Sequence, residues 1–154
     1  MNSQVNPPAS YSRAQAMAIL ARASLIELEQ AWISLGPISK PKIILPAEAG
    51  LAMVRGRAGG TGQVFNLGEM TMTRAVVELE GKQGHAYVAG RQLRLAELAA
   101  SFDALMQARP QMNLMQSLLP KLEARQQQAK ELASRKAQST KVDFFTLVRG
   151  ENAK

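Results

Sequence analysis

Five of the chain's 11 glycines fall within the 13 positions from Gly56 to Gly68. Such a stretch does not hold a helix, because each glycine there costs about 1 kcal/mol relative to alanine. It reads as a connection in which the backbone takes left-handed angles or comes close to another group. Arg55 and Arg57 precede its richest portion, Arg57-Ala-Gly59-Gly60-Thr61-Gly62, and Arg74 follows it. Guanidinium is a planar cationic fork suited to phosphate or carboxylate. Glycine-rich backbone beside arginine therefore points to oxyanion binding, although the same residues also suit a plain strand-to-strand connection with solvated arginines. Two phosphate-loop patterns fail on spacing. No Lys-Ser or Lys-Thr follows Gly62, and Phe65 stands where a dinucleotide fingerprint needs its third glycine.

On either side of this run the pattern alternates between helix and strand. Residues 1–10 are polar, with Pro7 and Pro8, and read as a disordered arm. Ser12 and Gln15 form a capping box. The helix it opens carries Ala16, Ile19, Leu20, Ala23 and Ile26 on one stripe, and continues or restarts before Gly36-Pro37. Pro37, Pro41, Pro46 and Gly50 make residues 36–50 an irregular or extended connection, with Ile43-Ile44-Leu45 as a short edge strand.

Leu51 to Arg57 reads as a strand with Arg55 and Arg57 on the face of Leu51 and Met53. Thr71 to Leu79, a turn at residues 80–83, and Gly84 to Val88 read as a hairpin. If the strands pair across Arg74, it comes near the other two arginines. A helix from Gly90 to about Gln107 has Leu95, Leu98, Ala99, Phe102, Leu105 and Met106 as its apolar stripe. Arg91 and Arg94 fall in its first turn, and Arg109-Pro110 ends it. Pro120 suits the start of a longer helix that is mostly Ala, Gln, Lys and Arg, and Val142 to Arg149 is β-prone. The class is α+β: a small antiparallel sheet flanked by helices, with a long C-terminal helix and a β-prone tail. Residues 11–150 make one domain between the arm and a tail at 151–154.

Composition narrows the chemistry. The chain has no cysteine, so it holds no disulfide, thiolate zinc site or cysteine-ligated iron–sulfur cluster of its own. Its one histidine, His85, reads as a packed or surface residue on a strand beside Tyr87. Glu69 and Asp103 are single carboxylates without a paired acid or base, Asp103 reading as a structural hydrogen-bonding group. No serine, threonine or lysine stands in a nucleophile context. No catalytic residue, metal ligand or cofactor is read in the chain.

The N-terminus has no signal-peptide pattern, and no apolar run reaches membrane-spanning length. The expected location is the cytoplasm. The formal charge of +7 calls for acidic partners. Six Lys or Arg lie between Lys121 and Lys141 against Glu123 and Glu131. A small basic nucleic-acid-binding module is the alternative this suggests. Readers of single strands add aromatic platforms, which this helix lacks, so a solvated face or a subunit contact is preferred. Met106, Met112 and Met115 near this thinly apolar helix point the same way, since methionine is over-used at adaptable surfaces.

Several motifs in one order resemble a known family. They are Arg57-x-Gly59-Gly60-Thr61-Gly62, Phe65, Gly68, Thr73-Arg74-Ala75, Gly81 with Gly84, Gly90-Arg91, Ala96-Glu97, Asp103-Ala-Leu-Met-Gln107, Val142-Asp-Phe-Phe-Thr146 and Val148-Arg-Gly150. Together they are similar to the G subunit of the bacterial carbon–phosphorus lyase system, the PhnG family, from about Arg13 to Gly150. Gln92 and Leu95 depart from the acid and the histidine often found there. The resemblance implies a cytoplasmic multi-subunit core with the H, I and J subunits, the I subunit being the closest expected contact. ATP is a substrate of that complex. An alkylphosphonate displaces its adenine to give α-D-ribose 1-alkylphosphonate 5-triphosphate, with this chain a structural or anion-steering helper. Arg57, Gly59, Gly60, Thr61, Gly62, Arg74 and Arg91 are the residues it places near an anion or substrate.

Overall fold

The computed structural model describes residues 11–140. The arm at 1–10 and the β-prone tail from Val142 lie outside the described residues. Helix α1 (Arg13–Leu20) starts with the expected capping box: Ser12 Oγ accepts from the Gln15 N–H, and Gln15 Oε1 accepts from the Ser12 N–H at 2.8 Å. The helical pattern then breaks and restarts. Ser24 and Glu27 form a second capping box that opens α2 (Leu25–Ser34). Gly36, at φ 79°, follows the last turn in the left-handed conformation that ends many helices.

The strands are longer than expected. Strand β1 runs unbroken from Lys42 to Arg57 and pairs antiparallel with β2 (Val64–Leu79). The expected connection at 36–50 is therefore mostly strand, and so is the segment from Val64 to Met70. Pro46 is tolerated because β1 is an edge strand, and it falls within a register shift between Leu45 and Glu48, just after another between Ile43 and Leu45. A third shift lies between Val54 and Arg55. Gly56 belongs to the strand because the Leu67 side chain lies over it: a Cβ there would stand 2.6 Å from Leu67 Cδ1.

The hairpin of β2 with β3 (Lys82–Ala89) turns at Glu80 and Gly81, both at positive φ, as a two-residue primed turn requires. The strand order is β1-β2-β3. Thr73, Ala75, Val77 and Leu79, with Gly84, Ala86 and Val88, form its buried face. Helix α3 (Leu93–Ala108) covers that face and is buried from Leu95 to Met106 except at Glu97. Helices α1 and α2 pack on the other side of α3, where Trp32 meets Phe102 edge-to-face at 5.2 Å. The opposite face of the sheet has no helix among the described residues.

A short α4 (Leu114–Ser117) leads to α5 (Leu119–Ser139), with Pro120 in its first turn as expected. Leu119 and Leu122 anchor α5 in the core. Glu123 accepts from the Tyr11 hydroxyl at 2.7 Å, and Gln126 Nε2 donates to the Ile19 carbonyl at 2.8 Å. Every residue from Gln127 to Thr140 is exposed. Met106 is buried in the core and Met112 packs against it, so these methionines do not form the exposed apolar surface that a partner would cover. None of the described helices is long and apolar enough to cross a membrane.

Strand β3 pairs with β2 only from Met72 to Leu79. Beyond that point Leu51–Arg57 and Val64–Thr71 continue as a two-stranded ribbon, about 20 Å long at 3.3 Å per residue, with no third strand or helix against it among the described residues.

Candidate functional site

The glycine-rich turn is the tip of this ribbon. Gly59 and Gly60 have φ of 58° and 80°, a left-handed pair that side chains disfavour. Gly62 serves another need, since its N–H donates to the Ala58 carbonyl at 3.0 Å and a Cβ there would lie 2.8 Å from that oxygen. Arg57 Nη1 donates to the Gly62 carbonyl at 3.0 Å, so the guanidinium closes over the turn. That bond uses one of its five N–H donors. Thr61, Arg55 and Arg57 are exposed. The tip thus offers an anion a held guanidinium and nearby small residues, but no walls among the described residues.

The other arginines named from sequence stand elsewhere. Arg57 pairs with Val64, whereas Arg74 pairs with Glu48. Ten residues of β2 separate Val64 from Arg74, roughly 33 Å of strand. The expected approach of Arg74 to Arg55 and Arg57 does not occur, because the hairpin is too long. Arg74 is also engaged: its Nε donates to Glu48 Oε1 at 2.8 Å, and Nη2 pairs with the same carboxylate. The Glu48 hydrogen bond and charge push its pKa further up.

Arg91 lies at the base of the ribbon, next to Gly90, whose N–H donates to the Thr71 carbonyl at 2.7 Å. It is exposed and lies outside α3, which begins at Leu93 after the N-cap Gln92, rather than in its first turn. Arg94 is in the first turn and faces Glu97 at 3.6 Å and Glu29 at 3.8 Å.

A second polar cluster joins Asp103 to Arg13, the partner that sequence reasoning missed. Asp103 is buried on α3. Its Oδ1 accepts from Arg13 Nε at 2.8 Å, and its Oδ2 accepts from Arg13 Nη2 at 2.7 Å and from the His85 backbone N–H at 2.9 Å. Arg13 on α1 is half-exposed, and its hydrogen bonds to Asp103 raise its pKa. The cluster clamps α1, α3 and β3 together beside a groove of about 640 Å³ that His85, Tyr87 and Met17 help to line. The expectation of a structural hydrogen bond at Asp103 agrees with this. Nothing local in the sequence pairs it with a residue 90 positions away.

Thr73 has a comparable role. Its buried hydroxyl donates to the Gly90 carbonyl at 2.6 Å and accepts from the Gln92 N–H at 2.9 Å, tying the β3–α3 connection to β2. Among the described residues no three His, Asp or Glu gather closely enough to hold a metal ion.

Residues 11–150 match the family model described as phosphonate metabolism protein PhnG. The chain belongs to the PhnG family. It is similar to the alpha-D-ribose 1-methylphosphonate 5-triphosphate synthase subunit PhnG of Rhizobium meliloti (strain 1021), with 41% identity over 143 residues, 91% of this chain and 90% of the relative. In this PhnG chain the motif residues sort by position. Thr73, Gly84 and Gly90 serve the joint between sheet and α3, whereas Arg57, Gly59, Gly60 and Gly62 lie at the ribbon tip, far from the core.

Proposed function

We propose that this chain is an accessory subunit of a carbon–phosphorus lyase core complex in the cytoplasm. In that complex an alkylphosphonate displaces adenine from ATP to give α-D-ribose 1-alkylphosphonate 5-triphosphate. The chain takes no covalent step and acts with the H, I and J subunits, the I subunit being its nearest contact. The observation that carries this reading is the position of the Arg57–Gly62 turn at the end of a ribbon that no other element among the described residues covers. Electrostatic catalysis needs a closed, dry site. A tip without walls supplies one charged edge of such a site and leaves another subunit to supply the rest.

Both reactants are anions, so a held guanidinium can steer the triphosphate or the phosphonate as the site closes. Arg57 with Gly59, Gly60, Thr61 and Gly62 fits that role. Arg74, tied to Glu48, and Arg91, at the ribbon base, act at most at the margins of the same surface. The test is adenine release from ATP with methylphosphonate. The assembled complex is expected to release adenine, and the isolated chain is expected to release none. Release by the isolated chain, free of other subunits, overturns the accessory reading.

A further inference from the structure

The ribbon itself is unexplained by a steering tip, which needs only a few residues. Cross-strand partners share a face in an antiparallel pair, so the register sorts its side chains. On the helix-side face Leu51 and Met53 lie opposite Thr71 and Glu69, and Arg55 and Arg57 follow toward the tip. On the outer face Ala52, Val54, Phe65, Leu67 and Met70 come together, continuous with Met72 and Tyr87 at the base. Leu51 is 68% exposed, Leu67 59%, Met53 52% and Phe65 46%.

Both faces therefore carry large apolar side chains that the fold leaves in water. The edges are open as well. Thr71 bonds toward β3 through Gly90, so Met72 and its even-numbered neighbours bond toward β1. Ala49, Leu51 and Met53 consequently turn their N–H and C=O groups away from the sheet on an edge with no strand beside it among the described residues. A two-stranded ribbon of this kind has little stability of its own in water.

We infer that the ribbon is a plug that inserts into an apolar cleft of another, acidic protein subunit and is enclosed on both faces. This rests on the accessory-subunit reading and names the surface and the chemistry of the partner. Charge selects the occupant. Arg55, Arg57 and Arg91 flank the apolar patch against the single acid Glu69, and the whole chain carries +7. A second copy would bring the same excess of positive charge, whereas a cleft rimmed by Asp and Glu complements it. A flat surface would cover one apolar face and leave the other wet.

The experiment uses the full chain co-produced with the other subunits. Hydrogen exchange is read on residues 51–56 and 64–71 in the free chain and in the complex. Single variants Leu67→Asp on the outer face and Met53→Asp on the helix-side face are compared with Leu132→Asp on the exposed part of α5. The expected result is strong protection of both ribbon strands in the complex only. Each ribbon variant is expected to lose at least about thirtyfold in affinity, as central apolar contacts do, with circular dichroism unchanged because the ribbon lies outside the core. The α5 variant assembles normally. Arg55→Glu with Arg91→Glu slows association and weakens its dependence on salt.

Ribbon amides that exchange equally fast in both states, in a complex that assembles and turns over, overturn the plug and leave the accessory reading standing. Failure of the wild-type chain to assemble with any subunit overturns both. Protection already present in a homodimer of the free chain overturns the acidic partner in favour of a second copy. Loss of affinity in the variant of one face only, with the other tolerated, overturns enclosure.

Discussion

Gly84→Ala sets two effects against each other, and the structure says which wins. Gly84 lies in β3 without a positive φ, so alanine suits its backbone. Local terms favour the change by about 0.5–1 kcal/mol, because glycine in a strand interior is entropically costly. Packing opposes it. A Cβ at Gly84 would sit 1.9 Å from the Ala100 carbonyl oxygen, 2.6 Å from the Ala104 nitrogen and 2.9 Å from its Cβ. Carbon–oxygen contacts settle near 3.3–3.6 Å, so α3 must lift from β3 by roughly 1.4 Å. The obstacle is helix backbone, which has no rotamer to change, and α3 is the element that covers the sheet.

The loss should reach the top of the overpacking range, about 3 kcal/mol, leaving a net destabilisation of about 2–2.5 kcal/mol. At roughly 2–4 °C per kcal/mol for a chain of this size, Tm falls by about 4–10 °C. Gly50→Ala is the control. It is also in a strand, has nothing within 4 Å of its added Cβ, and should change stability by less than about 1 kcal/mol, in the stabilising direction. Thermal unfolding by circular dichroism reads both. Equal Tm values for Gly84→Ala and wild type would refute the close approach of α3 to β3.

Three other outcomes follow from the described contacts. Arg13→Ala should destabilise more than Asp103→Asn, by about 3 against about 1–2 kcal/mol, because it leaves a buried carboxylate with one donor, whereas asparagine keeps an acceptor for the His85 N–H; denaturant midpoints showing the reverse order would remove the clamp. The Ser24 N–H holds the Glu27 carboxyl below its usual range, helped by the Ser24 hydroxyl and Arg125 and opposed by burial; since the folded pKa is depressed, the stability gap between wild type and Glu27→Gln should be full above about pH 4.3 and vanish as pH falls through the folded value, and a gap independent of pH would count against it. In the assembled complex Arg57→Ala should cut phosphonate-dependent turnover by roughly ten- to a hundredfold, as loss of a charge-assisted contact does, while His85→Phe keeps most activity; the reverse pattern in the adenine-release assay would move the site to the α1–β3 groove.

What the sequence made legible was local. The Ser12 and Gln15 box, the turn at Glu80 and Gly81, the α3 stripe and Pro120 in the first turn of α5 each depend on residues a few positions apart. The ribbon was hidden because Pro46, Gly50, Gly56 and Gly68 all look like strand breakers. An edge strand with register shifts absorbs the proline, and Gly56 makes room for Leu67, neither of which shows in a window of ten residues. The tip glycines were readable as a loop, but the distance from Arg57 to Arg74 depends on where pairing begins and ends. The Arg13–Asp103 fork joins positions 90 residues apart that no local pattern connects.

That fork also sets an order on synthesis. Arg13 leaves the ribosome 90 residues before its carboxylate. At about 5–20 residues per second the interval is roughly 5–18 s. During it α1 has neither its clamp nor α3 to cover Ala16, Ile19 and Leu20, and the sheet face of Ala75, Val77 and Leu79 also waits for α3. Once α3 emerges it meets both at once, so the two halves of the core should close in one step around it. Nascent chains stalled with Gly90 outside the exit tunnel should be cut freely by protease within α1, and those stalled with Thr140 outside should be protected. Protection of α1 in the shorter chain would mean that the helical pair is held by something other than α3. For this fold the helix in the middle of the sequence is the last to be missed and the first to be needed.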